Sequence, residues 1–338
     1  MSIHTTFKGL AALTGAAALT TLMAGTALAA PAVIYDLGGK FDKSFNEAAY
    51  NGAVAWSEEN GEDFLEFELQ NDAQREQALR RFASQGAQPI VMAGFAWEAA
   101  LTAVAPEFPD TNFVVIDTVV DAPNVRSVMF DEHTGSALVG ALAATASETG
   151  TIAFVGGMDV PLIRRFHCGY AYGARAIDPE ISVIETYTGT TPAAWDDPVT
   201  AGELTTAAID EGADVIFAAA GGSGIGVLQT AADAGVYSIG VDSNQNYMHP
   251  GSVLTSMIKR VDLVVQESFT DAADDATFEP GRVDLGLSED SVGYALDEFN
   301  ESEISEEMIA AAEDLKAQII AGEVEIHDFY TDNACPLD

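Results

Sequence analysis

Six times in this chain a short apolar run breaks off at an aspartate or a glycine: at Asp36, Gly94, Asp117, Gly156, Gly221 and Asp242. Buried parallel strands read as continuous apolar runs of this length. The stretches between them carry helical periodicity, as in Ala48, Ala49, Gly52, Ala53 and Trp56, or Leu138, Leu142 and Ala143. Strands alternating with such helices imply βαβ units and a parallel sheet, the α/β class. In open sheets of this kind ligands bind just past the carboxyl ends of the strands. The six polar ends therefore point at a binding crevice.

The pattern holds too many strands for one small sheet, and it restarts at Thr151 after a helix expected from about Thr134 to Glu148. Two similar lobes follow, and the chain is long enough to give each roughly 150 residues and a large core. No low-complexity linker divides them, which predicts several direct crossovers instead of a tether. The first 29 residues join a weakly basic start (His4, Lys8) to an apolar stretch ending in Ala27-Leu28-Ala29, the pattern of a secretory signal cleaved after Ala29. A net charge of −39 opposes nucleic acid and anionic membrane as partners. Acidic stretches at Asp271 to Asp275 and Glu301 to Glu307 read as solvated surface.

Several residues can carry recognition chemistry. Asp42-Lys43-Ser44-Phe45-Asn46-Glu47 contains Ser-x-x-Glu, a capping box with Ser44 as N-cap. Phe45 and Asn46 then fall in the first helical turn at the crevice mouth, where an aromatic face and an amide can meet a ligand; equally, Phe45 can staple the helix to the core through Ala49. Asp36, Asp117 and Asp242 each close an apolar run, as ligand acceptors or as turn caps. The Gly-rich turn Gly221-Gly222-Ser223-Gly224 lies between a strand and a helix without the ending of a phosphate-binding loop. Lys259 follows an apolar strand and can balance Asp242. Trp195 sits among turn-formers, where a core role is less natural, and Trp97 is open between crevice wall and core. The five histidines form no metal-spacing pair, and no Gly-x-Ser-x-Gly elbow or reactive cysteine motif is present. A metal, a cofactor and catalysis are accordingly not expected. Cys168 and Cys335 can pair in an oxidising compartment.

In order along the chain, Asp42-Lys43-Ser44-Phe45-Asn46, Val155-Gly156-Gly157-Met158 with Phe166 and Gly169, Ala220-Gly221-Gly222-Ser223-Gly224, Gly240-Val241-Asp242 and Thr255-Ser256-Met257-Ile258-Lys259 resemble the BMP (basic membrane protein) group of ABC-transporter solute-binding proteins, which includes purine nucleoside receptors. The resemblance implies a two-lobed type I periplasmic-binding-protein fold, each lobe a mainly parallel sheet flanked by helices, with hinge crossovers. The first lobe would hold residues 31–130 and 258–280, the second 131–257 and 281–338. It implies a monomeric periplasmic receptor that closes on a nucleoside and delivers it to an inner-membrane ABC permease. Phe45 and Trp195 would stack on the base, Asn46 and Asp117 would bond its edge, Asp242 and Lys259 would grip ribose hydroxyls, and Gly221 and Gly222 would line the site, with Asp36 a further contact. Two departures stand out: Phe41 replaces an acidic residue of many relatives, and no lipid-anchoring cysteine follows the signal. A receptor for a free purine base or a pentose shares the fold; a nucleoside-cleaving enzyme would need an acid or metal to activate water.

Overall fold

The structure is a computed structural model that describes residues 1–2, 30–272 and 277–337. The expected signal segment lies outside the described residues, apart from its first two, as do Asp274 and Asp275 of the first acidic stretch. Of the second acidic stretch, Glu301, Glu306 and Glu307 are exposed as expected. Among the described residues no helix is long and apolar enough to cross a membrane.

All six apolar runs form strands. The first part of the chain builds β1 (Ala32–Tyr35), α1 (Phe45–Asn60), β2 (Leu65–Glu68), α2 (Arg75–Ser84), β3 (Ile90–Met92), α3 (Glu98–Val104), β4 (Phe113–Ile116) and β5 (Val125–Phe130). The chain then crosses to α4 (Glu132–Ala146), β6 (Thr151–Met158), α5 (Pro161–Ile177), β7 (Ser182–Gly189), α6 (Pro198–Asp210), β8 (Val215–Ala219), α7 (Gly224–Ala234), β9 (Tyr237–Asp242) and β10 (Val253–Lys259). It returns for α8 (Val261–Ala272) and β11 (Gly281–Leu285), and crosses again to β12 (Val292–Tyr294) and α9 (Glu306–Ile320).

Two six-stranded sheets result, in the orders β2-β1-β3-β4-β5-β11 and β7-β6-β8-β9-β10-β12. Every pairing is parallel except that of β12 with β10. Each sheet reverses its strand order beside its first strand, β1 or β6, and the carboxyl ends there open toward the other lobe. Asp36, Gly94 and Asp117 thus follow strands of one lobe, while in the other Gly221 follows β8 and Asp242 ends β9.

The expected lobe boundaries need correction at both ends of the returning segment. Ile258 and Lys259 belong to β10 of the second sheet, so the return begins with α8 at Val261, and it runs on through β11, which pairs with β5 of the first sheet. The second boundary was hidden because β11 is an almost wholly exposed edge strand, with no apolar run to announce it. The three crossings are joined side by side: Asp131 N–H donates to the carbonyl of Leu285 at 2.8 Å, and Glu132 lies against Lys259.

Cys168 on α5 and Cys335 in the C-terminal tail form a disulfide. Helices α4 and α5 pack unusually closely, because a Cβ on Gly173 would stand 1.8 Å from the carbonyl oxygen of Ala137. Overpacking such a contact costs about 1–3 kcal/mol, so Gly173→Ala should lower the urea midpoint by the equivalent amount, and an unchanged midpoint would refute this packing.

Candidate functional site

The strand ends of the two lobes face each other across a cleft enclosing about 580 Å³, counting the space open at its mouth. From the first lobe it is lined by Asp36, Leu37, Asp42, Phe45, Asn46, Gly94, Phe95 and Asp117. The second contributes Leu162, Ile163, Phe166, Trp195, Ala219, Gly221, Val241, Asp242 and Lys259. Of the nine residues expected to touch a ligand, all but Gly222 therefore line this cleft, and Phe45 and Trp195 come from opposite lobes.

Gly222 serves the wall from behind. A Cβ there would stand 3.1 Å from the carbonyl of Trp195, and the adjacent Ser223 hydroxyl accepts from Asp197 N–H at 2.7 Å and donates to the carbonyl of Ala194 at 2.8 Å. The Gly-rich turn thus clamps the loop that carries Trp195. The indole lies on bare backbone, since a Cβ on Gly157 would fall 2.3 Å from its Cζ3. Trp97 is core: fully buried, it donates to the carbonyl of Ala93 at 2.9 Å.

The start of α1 departs from the expected capping box. Ser44 occupies the N-cap position without a side-chain cap bond; its hydroxyl donates instead to Asp242 at 2.5 Å, across the cleft. Asp42 caps in its place, accepting from the N–H groups of Ser44 (2.9 Å), Asn46 (3.0 Å) and Glu47 (3.1 Å). Burial pushes the Asp42 carboxyl up to about 7 despite those donors. Asn46 is buried and largely committed: it accepts from Asp36 N–H at 3.0 Å and donates to the carbonyls of Asp36 (3.2 Å) and Gly39 (3.1 Å). Asp36 is fixed in turn by Arg75 at 2.6 Å and Leu37 N–H at 2.7 Å.

Asp117 and Asp242 both adopt left-handed backbone, at φ 72° and 63°. Non-glycine residues rarely sit there, Asp among the more tolerant, and such strain is held only where surroundings impose it. Here it follows the strand ends that turn both carboxylates into one buried cluster. Lys259, 2 % exposed, donates to both oxygens of Asp117 at 2.7 Å and lies 3.0 Å from Oε1 of Glu132, off the axis of a hydrogen bond. Its ammonium also stands over the rings of Phe45 (5.1 Å), Phe130 (5.0 Å) and Phe166 (5.7 Å). Burial raises the carboxyls of Asp117 and Asp242, with Lys259 pulling the other way. Burial would also raise Glu132, but Lys259 and Arg165 outweigh it and hold that group low. Burial favours a neutral Lys259, and its carboxylate neighbours, Asp117 foremost, reverse that and keep it charged.

Sequence reasoning did not find Glu132 or Arg165. The run Val125–Phe130 also ends on acids, Asp131 and Glu132, but Arg126 and Ser127 interrupt its apolar reading. Arg165 lies in the second turn of α5, where no local pattern marks a buried cation. Phe95, Leu162 and Ile163 gave no signal beyond ordinary core composition.

The cleft thus offers flat aromatic and aliphatic walls, four carboxylates and one ammonium: it suits a neutral, planar ligand rich in hydrogen-bond donors and disfavours a phosphate. Residues 30–329 match the family model of PnrA-like ABC transporter substrate-binding proteins (Bmp). The chain is similar to the ABC transporter nucleoside-binding protein BmpA of Lactococcus lactis subsp. cremoris, at 31% identity over 87% of this chain and 88% of the relative. It is likewise similar to basic membrane protein A2 of Borrelia garinii subsp. bavariensis, 30% identical over 87% of each. Among solved structures, a solute-binding protein of an ABC transporter system from Aeropyrum pernix superposes with a TM-score of 0.81 at 29% identity, covering 88% of this chain and 92% of that one.

Removing one partner of a buried ion pair typically costs about 3–5 kcal/mol. Lys259→Met should lose that much at pH 7.5 by urea denaturation. Burial already raises the Asp117 carboxyl and Lys259 is what pulls it down, so in the variant its folded pKa lies further above the unfolded one, the folded state binds an extra proton and stability rises as pH falls toward 5. The deficit should narrow accordingly; one that is independent of pH would contradict the charge account.

Proposed function

The chain belongs to the PnrA-like family of ABC transporter substrate-binding proteins, and on that premise we propose that it captures nucleosides, purine nucleosides foremost, in the periplasm and hands them to an inner-membrane permease. The observation that carries this reading is the meeting of Phe45 and Trp195, from opposite lobes, in one cleft with strand-end carboxylates. A base between those rings gains roughly 1–3 kcal/mol per stacked contact, largely irrespective of its identity.

The polar groups then divide the ligand. Asp117 accepts N–H groups at the base edge. Asn46 has spent both amide hydrogens on carbonyls, so it offers the second lone pair of Oδ1. Asp242 and Lys259 hold ribose hydroxyls, the carboxylate accepting and the ammonium donating. Gly221 and Asp36 complete the lining. Closure is supported by contacts the lobes already share: besides Ser44 with Asp242, Ser243 Oγ donates to the carbonyl of Ser44 at 2.9 Å and Gln245 Nε2 to that of Lys43 at 3.1 Å. The likeness to the nucleoside-binding relative of Lactococcus points the same way.

Calorimetry should show binding of adenosine, guanosine or inosine, with the nucleoside recovered unchanged; heat only from unrelated sugars or amino acids, or release of free base, would overturn the assignment. Phe45→Ala or Trp195→Ala should weaken binding about tenfold or more, in line with the loss of one stacking face. Asp242→Ala should penalise nucleosides more than free bases, and equal losses would contradict its place at the ribose.

A further inference from the structure

Lys259 does not stand alone behind the cleft. Its neighbour Glu132 is fully buried at the start of α4 and does not line the cleft. The other carboxylate oxygen of Glu132 accepts from Arg165 Nη1, which also donates to the carbonyl of Phe130. The rest of that guanidinium is forked onto Asp328, Nε to Oδ1 at 2.7 Å and Nη2 to Oδ2 at 2.9 Å, with Asp131 accepting from Nη2 at 3.2 Å. Asp328 belongs to the C-terminal tail, where it caps a short helical turn by accepting from Tyr330 N–H at 3.0 Å, and the Tyr330 ring lies 5.0 Å from the guanidinium. Seven residues on, the tail is fastened by the disulfide to Cys168, three residues past Arg165 on α5.

We propose that Arg165 and Asp328 are positioning residues for the ligand site: the fastened tail holds Arg165, Arg165 holds Glu132, and Glu132 holds the Lys259 ammonium where it meets the ligand. Charges alternate along this line from the cleft to the tail. Each member is therefore the counter-ion that makes the next one tolerable in the interior. The bidentate fork on Asp328 sets the plane of the guanidinium, and that plane decides which amine faces Glu132. The line also passes through two of the three crossings between the lobes, at Phe130 to Glu132 and at Lys259. A displaced tail would in consequence disturb the site from outside it.

The ligand arm of the test rests on the nucleoside reading, and a second arm needs no ligand. Few lysines are present, so Lys259 can be followed by NMR in protein labelled at lysine, its ammonium signal assigned by its loss in Lys259→Arg. Asp328→Asn should shift that signal, hasten its hydrogen exchange, and weaken nucleoside binding about 3- to 10-fold when measured well below its melting temperature, where the variant is fully folded. Glu132→Gln, which also lowers the melting temperature because it removes a fully buried counter-ion, should shift the signal and weaken binding likewise, and adding Asp328→Asn to it should bring no further change in signal or affinity, because groups acting through one another are not additive. Should Asp328→Asn fail to fold, Arg165→Lys, which keeps the charge and loses the fork, reads the same relay. A folded Asp328→Asn or Arg165→Lys with a wild-type Lys259 signal and affinity, or effects that simply add to those of Glu132→Gln, would overturn the proposal. Failure of the wild type to bind any nucleoside would instead sink the proposed function, and the NMR arm would still decide the relay.

Discussion

The buried ammonium of Lys259 sets the terms on which the two lobes can meet. An ionised group at 2 % exposure is tolerable only with close counter-charges. They arrive from separate parts of the chain: Asp117 from the end of a first-lobe strand, and Glu132 from the crossing that leaves that lobe. Lys259 itself ends a second-lobe strand. The ion cluster thus exists only when both sheets present their carboxyl ends to each other, and it fixes the base of the cleft in the same stroke.

The rest of the site is arranged around that base. Asp42 caps α1 and so frees the Ser44 hydroxyl to reach Asp242 across the cleft. Asn46 secures the loop after β1, which presents Asp36 and Leu37. On the other side Ser223 and the glycines beside it hold the loop that lays Trp195 on the backbone of Gly157. These are local hydrogen bonds with a common effect: they hold Phe45 and Trp195 in the wall of the cleft while most polar atoms nearby are already oriented. A preorganised cleft of this kind spends less of its binding energy on ordering itself.

Much of this was legible in the sequence because strands and polar strand ends are local signals. An apolar run that stops at Asp117 or Asp242 states both a strand and a carboxylate at its end, and the structure adds only the left-handed turn. The order of the family motifs carried the lobe architecture. What escaped was non-local or lacked an apolar signature. The exposed edge strand β11 gives no run, so the first lobe was closed too early. A capping box names Ser44, but only the opposite lobe reveals that its hydroxyl has a better partner. Gly222 reads as lining until the Trp195 carbonyl is found 3.1 Å from where a Cβ there would stand. Arg165 and Glu132 are ordinary helix residues until 33 positions of chain fold back to pair them.

The central claim is that a planar ligand enters between Phe45 and Trp195 above the Lys259 cluster, and a crystal structure of the complex with a purine nucleoside tests it most directly. The account predicts the base between those two rings, with ribose hydroxyls within hydrogen-bonding distance of Asp242 and Lys259. A nucleoside bound elsewhere, or with its sugar between the rings and its base at the lysine, would contradict it.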